Sequence, residues 1–138
     1  MSLAGGYAAG CSAPMPQTPP TTLDGQNNTG VLTLRNTYGD ITVRNLTLQN
    51  GDSAEPGAGL QVNYLISVNG NVSIHDNIIR NSHSSVDAGG LYASGAGQTL
   101  FVFTNLIVGN SADAHSVGGA LAGTSQVHTV LRQHAPRT

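Results

Sequence analysis

The chain has 138 residues, the size of one ordinary domain, and only 9% of them are charged against roughly 25% in an average globular protein. Five Arg, no Lys and seven acids give a net charge of −2, which excludes the basic patch that nucleic-acid binding needs, and no apolar run approaches the ~18 residues of a membrane-spanning helix. Aromatics are 4% with no Trp, so the core cannot be built on large rings.

The polar remainder is rich in Asn (12), Thr (13), Ser (12) and Gly (18). Such a composition approaches that of disordered chains, but disorder favours high net charge and few β-branched residues. Here Val, Ile, Leu and Thr recur in short strand-like runs. Ordered β-structure is the expectation.

From the start, Met1 to Gly6 has neither a basic segment nor a long apolar stretch and does not read as a secretory leader. An early strand is expected near Tyr7. Cys11 is the single cysteine, so no internal disulfide forms. Residues 13–22 hold Pro14, Pro16, Pro19 and Pro20 and read as a loop, because proline removes ladder donors. Asp24-Gly25 is a turn, and Gly30 opens a strand through Leu34. Sequons occur at Asn27, Asn45 and Asn71, a number that chance supplies in a chain with this much Asn and Thr.

Three ten-residue segments then stand one above another: Ile41 to Asn50 (ITVRNLTLQN), Val72 to Asn81 (VSIHDNIIRN) and Phe101 to Asn110 (FVFTNLIVGN). Each ends in Asn, and nine residues later each is followed by a glycine: Gly59, Gly90 and Gly119. With Gly30 upstream, the glycine steps are 29, 31 and 29 residues (59 − 30, 90 − 59, 119 − 90). Alternation of apolar and polar residues makes each segment a half-buried strand. Three inward columns are expected: Val43, Ile74 and Phe103; Leu48, Ile79 and Val108; Leu60, Leu91 and Ala120.

A unit of about 30 residues with short strands cannot bury an apolar face alone, whereas stacked units can. The expected fold is therefore all-β, a parallel β-helix with three sheets and 29–31 residues per coil. Residues 1–131 form one domain, with coils around 23–62, 63–93 and 94–122 and a partial coil at 123–131. Residues 132–138 are a tail. Asn tolerates left-handed turns, and stacked amides can hydrogen-bond along an axis, so Asn50, Asn81 and Asn110 are expected to form a structural ladder. Gly30, Gly59, Gly90 and Gly119 mark places where no Cβ fits or φ is positive.

Asn110-Ser111-Ala112 followed by Gly118-Gly119-Ala120-Leu121 resembles the repeats of right-handed parallel β-helix proteins in the pectin-lyase-like superfamily. That superfamily includes autotransporter passenger domains and polymorphic outer-membrane proteins. Thr22 to Gly25, Val43 to Gly51 and the opening Ser2 to Tyr7 with Cys11 resemble the first coils of large secreted β-helix proteins. The resemblance covers residues 2–125 and implies a right-handed solenoid, an extracellular or cell-surface location, and a chain that is a short or truncated member. The superfamily spans polysaccharide lyases and hydrolases, tailspikes and adhesins, so it does not fix an activity.

Its enzymes set acids, or an acid and a base, on one outward face. Here no expected column holds two carboxylates, so the paired-acid geometry of glycoside hydrolysis is not predicted. Asp52 and His83, both two residues after a ladder Asn, are the one vicinal acid–base pair, with Ala112 as the third member. Zinc, P-loop and calcium-repeat motifs are missing, so neither metal nor cofactor is expected. Tyr92 points outward and is the candidate carbohydrate contact, with Tyr38 and Tyr64 in turns. The sequence thus reads as a non-enzymatic surface or adhesin-like scaffold, with polysaccharide as a ligand. The alternative is an inactive or partial relative of a polysaccharide lyase or hydrolase. Two open ends and no Lys to blunt a strand edge predict self-association, most simply a dimer through Gln126 to Leu131.

Overall fold

The computed structural model describes residues 1–6, 21–35, 39–63, 70–95, 99–113, 120–124 and 127–129. Among them the chain forms strands and no helix. A first pass holds β1 (Ser2–Ala4), β2 (Thr21–Asp24) and β3 (Leu32–Arg35). A second holds β4 (Ile41–Arg44), β5 (Leu46–Gln49), β6 (Asp52–Ser53) and β7 (Leu60–Asn63). The third runs β8 (Asn71–His75), β9 (Ile78–Arg80), β10 (His83–Ser84) and β11 (Leu91–Gly95). The last runs β12 (Thr99–Phe103), β13 (Leu106–Val108), β14 (Ser111–Ala112) and β15 (Ala120–Thr124), after which β16 (Val127–Thr129) begins another.

Every pairing between strands is parallel and joins one pass to the next. The sheets are four, not three. Sheet I is β1-β4-β8-β12-β16, sheet II is β2-β5-β9-β13, sheet III is the short β6-β10-β14, and sheet IV is β3-β7-β11-β15. The additional sheet III is built from two-residue strands, too short for a period-two pattern to show in sequence. Partners Ile41 and Val72, Val72 and Leu100, and Leu100 and Val127 set steps of 31, 28 and 27 residues (72 − 41, 100 − 72, 127 − 100), a wider range than the glycine spacing predicts. Thr21 and Thr22, assigned from sequence to the Pro-rich loop, belong to β2; Tyr7 and the prolines lie outside the described residues.

The apolar core is aliphatic. Ile41, Val72 and Leu100 form one inward column, and Val43, Ile74 and Val102 the next. Leu48, Ile79 and Ile107 form another on sheet II, and Leu60 packs beside Leu91 on sheet IV. All of these are at most 3% exposed, so side-chain stacking from pass to pass, not aromatic packing, fills the core.

The last pass is in a different register from the one its sequence suggests. Leu100, not Phe101, pairs with Val72, so Val102 and Ile107 point inward while Phe103 faces out. A slip of one residue exchanges the two faces of a strand. The segment Leu100-Phe101-Val102-Phe103 is apolar at every position, so alternation cannot choose its face. The compensating residue lies in the connection to sheet IV. Six residues separate Ser84 from Leu91 (85–90), and seven separate Ala112 from Ala120 (113–119).

Two corners account for the repeated polar residues. The sheet I to sheet II corner is Asn45, Asp76 and Thr104 in successive passes, each with φ between 50° and 56°. The sheet II to sheet III corner is Asn50 (φ 55°), Asn81 (φ 53°) and Gly109 (φ 66°). Asn and Gly are the residues that enter this region most readily. Asn110 is therefore not the third rung above Asn50 and Asn81; Gly109 is.

The residue after each corner has a backbone N–H that a side chain from the next pass satisfies. Asn77 Oδ1 accepts from Leu46 N at 3.1 Å, and Asn105 Oδ1 accepts from Asn77 N at 3.1 Å. Their Nδ2 groups donate to the carbonyls of Val43 (3.0 Å) and Ile74 (2.8 Å), before the corner. At the second corner Ser82 Oγ accepts from Gly51 N (3.1 Å) and Asn110 Oδ1 from Ser82 N (3.0 Å). Asn110 Nδ2 then donates to Ile79 O at 2.9 Å. One amide thus serves both a donor and an acceptor that the left-handed turn leaves without ladder partners.

Asn81 is exposed and its side chain bonds to no described residue, so it is not a hydrogen-bonded rung of the expected ladder. Asn50 does bond along the stack, but outward, with Nδ2 3.1 Å from both carboxylate oxygens of Asp24. Of the marked glycines, Gly59 fits its reading: a Cβ there would lie 2.6 Å from Gly90 O and from Ile79 Cγ2. Gly30 does not, since its Cβ would meet nothing closer than Ala58 O at 3.6 Å. Gly90 is buried, and Gly119 lies outside the described residues.

Thr47, on the outer side of β5, is 1% exposed and its Oγ1 has no partner. A buried unpaired hydroxyl costs free energy that a methyl group does not. Thr47→Val is expected to raise stability by about 1 kcal/mol, read as a higher urea midpoint at unchanged slope.

Candidate functional site

Three outer faces hold the chemistry-bearing side chains. On sheet III, Asp52 and His83 are register partners, as the sequence suggests, and the third member is Ser111. Ala112, expected there, pairs instead with Ser84 because of the register shift in the last pass. His83 Nδ1 lies 2.9 Å from Ser111 Oγ, and His83 Nε2 lies 3.4 Å from a carboxylate oxygen of Asp113. The imidazole therefore turns toward the last pass, away from Asp52, which is exposed. Hydroxyl, imidazole and carboxylate in contact resemble the parts of an activated nucleophile. The backbone donors at hand are already used, Ser111 N by Ser82 O and Asp113 N by Ser84 O. These two donors are therefore not free to form an oxyanion site beside the Ser111 hydroxyl.

On the outer face of sheet I, Arg44, His75 and Phe103 form one column. The rings of His75 and Phe103 stack with centroids 4.7 Å apart and planes 5° from parallel. Phe101, two residues before Phe103, points to the same side, and both are more than a third exposed. At the adjoining corner Asp76 accepts from His75 Nδ1 at 2.7 Å and from Thr104 Oγ1 at 2.8 Å. The His75 and Thr104 hydrogen bonds, helped by the charges of His75 and Arg44, hold the Asp76 carboxyl below the usual carboxylate range. The sequence puts Arg44 and His75 in one outward column but Thr104 in place of Phe103, because the register slip turns Phe103 inward.

The lowered Asp76 pKa has a sign. Its stabilisation is present above the ordinary value of 3.8 and is lost as pH falls through the lowered folded-state value. Asp76 is half exposed, so solvent screens the effect and it is small. Asp76→Asn is expected to lose less stability than the parent between about pH 5 and about pH 2, measured as urea midpoints across that range.

The outer face of sheet II carries a polar relay. Gln49 Nε2 donates to Asp24 at 2.7 Å, and Gln49 Oε1 accepts from Arg80 Nε at 3.0 Å and from its NH2 group at 2.7 Å. The Gln49 amide, the Gln26 backbone N–H and the Asn50 amide hold the Asp24 carboxyl below its usual value. This column ties three passes together.

Tyr92, the expected sugar contact, is half-buried on β11 and backs onto the left-handed turn at Gly57. A Cβ on Gly57 would lie 2.8 Å from Tyr92 Cβ. Tyr38 and Tyr64 lie outside the described residues. Among the described residues no three His, Cys, Asp or Glu side chains converge on a point that could hold a metal, and no helix is long and apolar enough to cross a membrane.

Comparison with family models, with curated proteins and with solved structures returned no match.

Proposed function

We propose that the chain is a right-handed parallel β-helix that serves as a non-enzymatic, surface-exposed scaffold and contacts polysaccharide through the outer face of sheet I. The β-helix reading is supported by strand order: the passes visit the sheets in one sequence, the first without a strand in sheet III, and each strand pairs in parallel with its counterpart one pass away. Handedness and surface location come from the family resemblance. The observation that carries the ligand is Phe103, exposed and held flat by His75 beside Arg44. Aromatic rings flanked by hydrogen-bonding groups are what a sugar ring with one apolar face stacks on. Affinity electrophoresis through gels containing neutral or acidic polysaccharides tests it. Retardation is expected for the parent and for Tyr92→Ala, and is expected to vanish in Phe103→Ala. Equal mobility of all three in every gel would remove the ligand.

The second reading, an inactive relative of a polysaccharide-cleaving enzyme, is favoured by the Asp52–His83–Ser111 column. Turnover of a polyanionic polysaccharide that disappears in His83→Ala would put this reading first. Self-association belongs to the scaffold reading. Among the described residues β16 (Val127–Thr129) is the last strand of sheet I, within the segment where pairing with a second copy is proposed. Light scattering over a dilution series is expected to show a mass above that of the monomer, and monomer mass at high micromolar concentration would overturn it.

A further inference from the structure

We propose that Ser111 is a covalent acylation site, at which a small acyl group passes from a thioester to the serine hydroxyl with His83 as the base. The inference goes beyond the carbohydrate reading and does not rest on it, because these groups lie on the outer face of sheet III and not on sheet I. Contact with an imidazole sets this hydroxyl apart. The hydroxyls of Ser53, Ser82 and Ser84 bond to backbone groups, that of Ser94 to the Asn63 amide and that of Thr104 to the Asp76 carboxylate. Ser111 Oγ lies 2.9 Å from His83 Nδ1, and the other imidazole nitrogen lies 3.4 Å from the Asp113 carboxylate.

Strand register builds the group. His83 and Ser111 are partners on adjacent parallel strands, and Asp113 follows Ser111 by two residues, so it returns to the same side of the strand. A carboxylate beside Nε2 favours the tautomer that carries its proton there, which leaves the Nδ1 lone pair facing the Ser111 hydroxyl. Hydroxyl, base and a group that orients the base are the parts of an activated serine. Ser111 is exposed and the His83 side chain is 40% exposed, so a small donor reaches the hydroxyl.

The oxyanion donor comes from the same strand. Ser111 N and Asp113 N donate toward β10, to Ser82 O and Ser84 O. Backbone groups of successive residues face opposite sides of a strand, so Ala112 N faces away from β10. Among the described residues β14 is the outermost strand of sheet III on that side, and Ala112 N donates to no described residue. The N–H of the residue after the nucleophile is a position that hydrolases use for the oxyanion. One such donor gives limited help, which selects an acyl donor with a good leaving group, a thioester and not an alkyl ester or an amide.

In the step, Ser111 Oγ attacks the thioester carbonyl carbon while its proton passes to His83 Nδ1. The C–O bond forms, the C–S bond breaks with its electron pair on sulfur, and the thiolate takes the proton from His83. The products are O-acyl-Ser111 and a thiol.

The test is incubation of the full chain with S-phenyl thioacetate, cleavage after arginine, and mass spectrometry of the peptides. The chain has no Lys, and cleavage at Arg35, Arg44 and Arg80 separates the Met1 amine and the Cys11 thiol from Ser111. Acetyl is expected at Ser111 ahead of the other hydroxyls of the 81–132 peptide, and this preference is expected to vanish when the parent is unfolded in urea. His83→Gln keeps an acceptor beside the hydroxyl but no base, and is expected to slow acetylation of Ser111 by about 10²–10⁴-fold, the usual share of general-base catalysis. Asp113→Asn is expected to slow it as well and Asp113→Glu to restore it, which separates orientation of the imidazole from support of the fold. Circular dichroism verifies that each variant is folded. Acetyl spread evenly over the hydroxyls, a preference for Ser111 that survives urea, or acetylation at the parent rate in folded His83→Gln overturns the proposal.

Discussion

Val102→Asp is expected to unfold the chain, and Phe103→Asp is expected to leave it folded. Val102 is 2% exposed between Ile74 and the next pass, with no cation beside it in the inward column. An unpaired carboxylate there costs several kcal/mol, a large share of the roughly 5–15 kcal/mol that holds a domain together. Phe103 is 37% exposed on the outer face, where a carboxylate stays hydrated and sits beside His75. Its loss removes one ring stack, worth about 1 kcal/mol. Far-UV circular dichroism of the two variants decides the register: if Phe103→Asp is the one that unfolds, the last pass is out by one residue.

Asn77→Ala is expected to destabilise the fold by about 2–5 kcal/mol, because it leaves Leu46 N and Val43 O buried without partners. Asn81→Ala, only four residues away and at the residue that looks most repetitive in sequence, is expected to cost less than about 1 kcal/mol. Asn81 is exposed, and what it supplies is tolerance of a positive φ. Urea denaturation of the pair gives the ratio, and comparable losses would mean that the post-corner amides are not what joins the passes.

These pairs also show what was legible in the sequence and why. Parallel strands stacked at a period near 30 follow from the spacing of Gly59 and Gly90, since Leu60 and Leu91 are register partners one residue later. The column Val43–Ile74 was readable because both strands alternate cleanly, and Leu48–Ile79 because β5 does. The last pass was not, because Leu100 to Phe103 is apolar at both parities and Asn110 imitates a corner residue from one position too far along. The inward amides were hidden for a different reason. Asn77 and Asn105 each follow a polar corner residue, Asp76 and Thr104, so a buried amide looks like part of an exposed loop. Asp52 and His83 were correctly paired, while the turn of the imidazole toward Ser111 and Asp113 depends on side-chain torsions that no spacing encodes.

The side chains that close the corners reach backward in every case. Asn77 completes Leu46, Asn105 completes Asn77, Ser82 completes Gly51, and Asn110 completes Ser82. Each pass is therefore finished by the one made after it, and a chain leaving the ribosome carries an incomplete corner until about 30 further residues have emerged. The same direction governs growth of such a chain by duplication. A unit added at the C-terminal end must bring its own post-corner polar residue, whereas the second pass receives such a bond at each corner and gives none from the side chains of Leu46 or Gly51, which cannot hydrogen-bond.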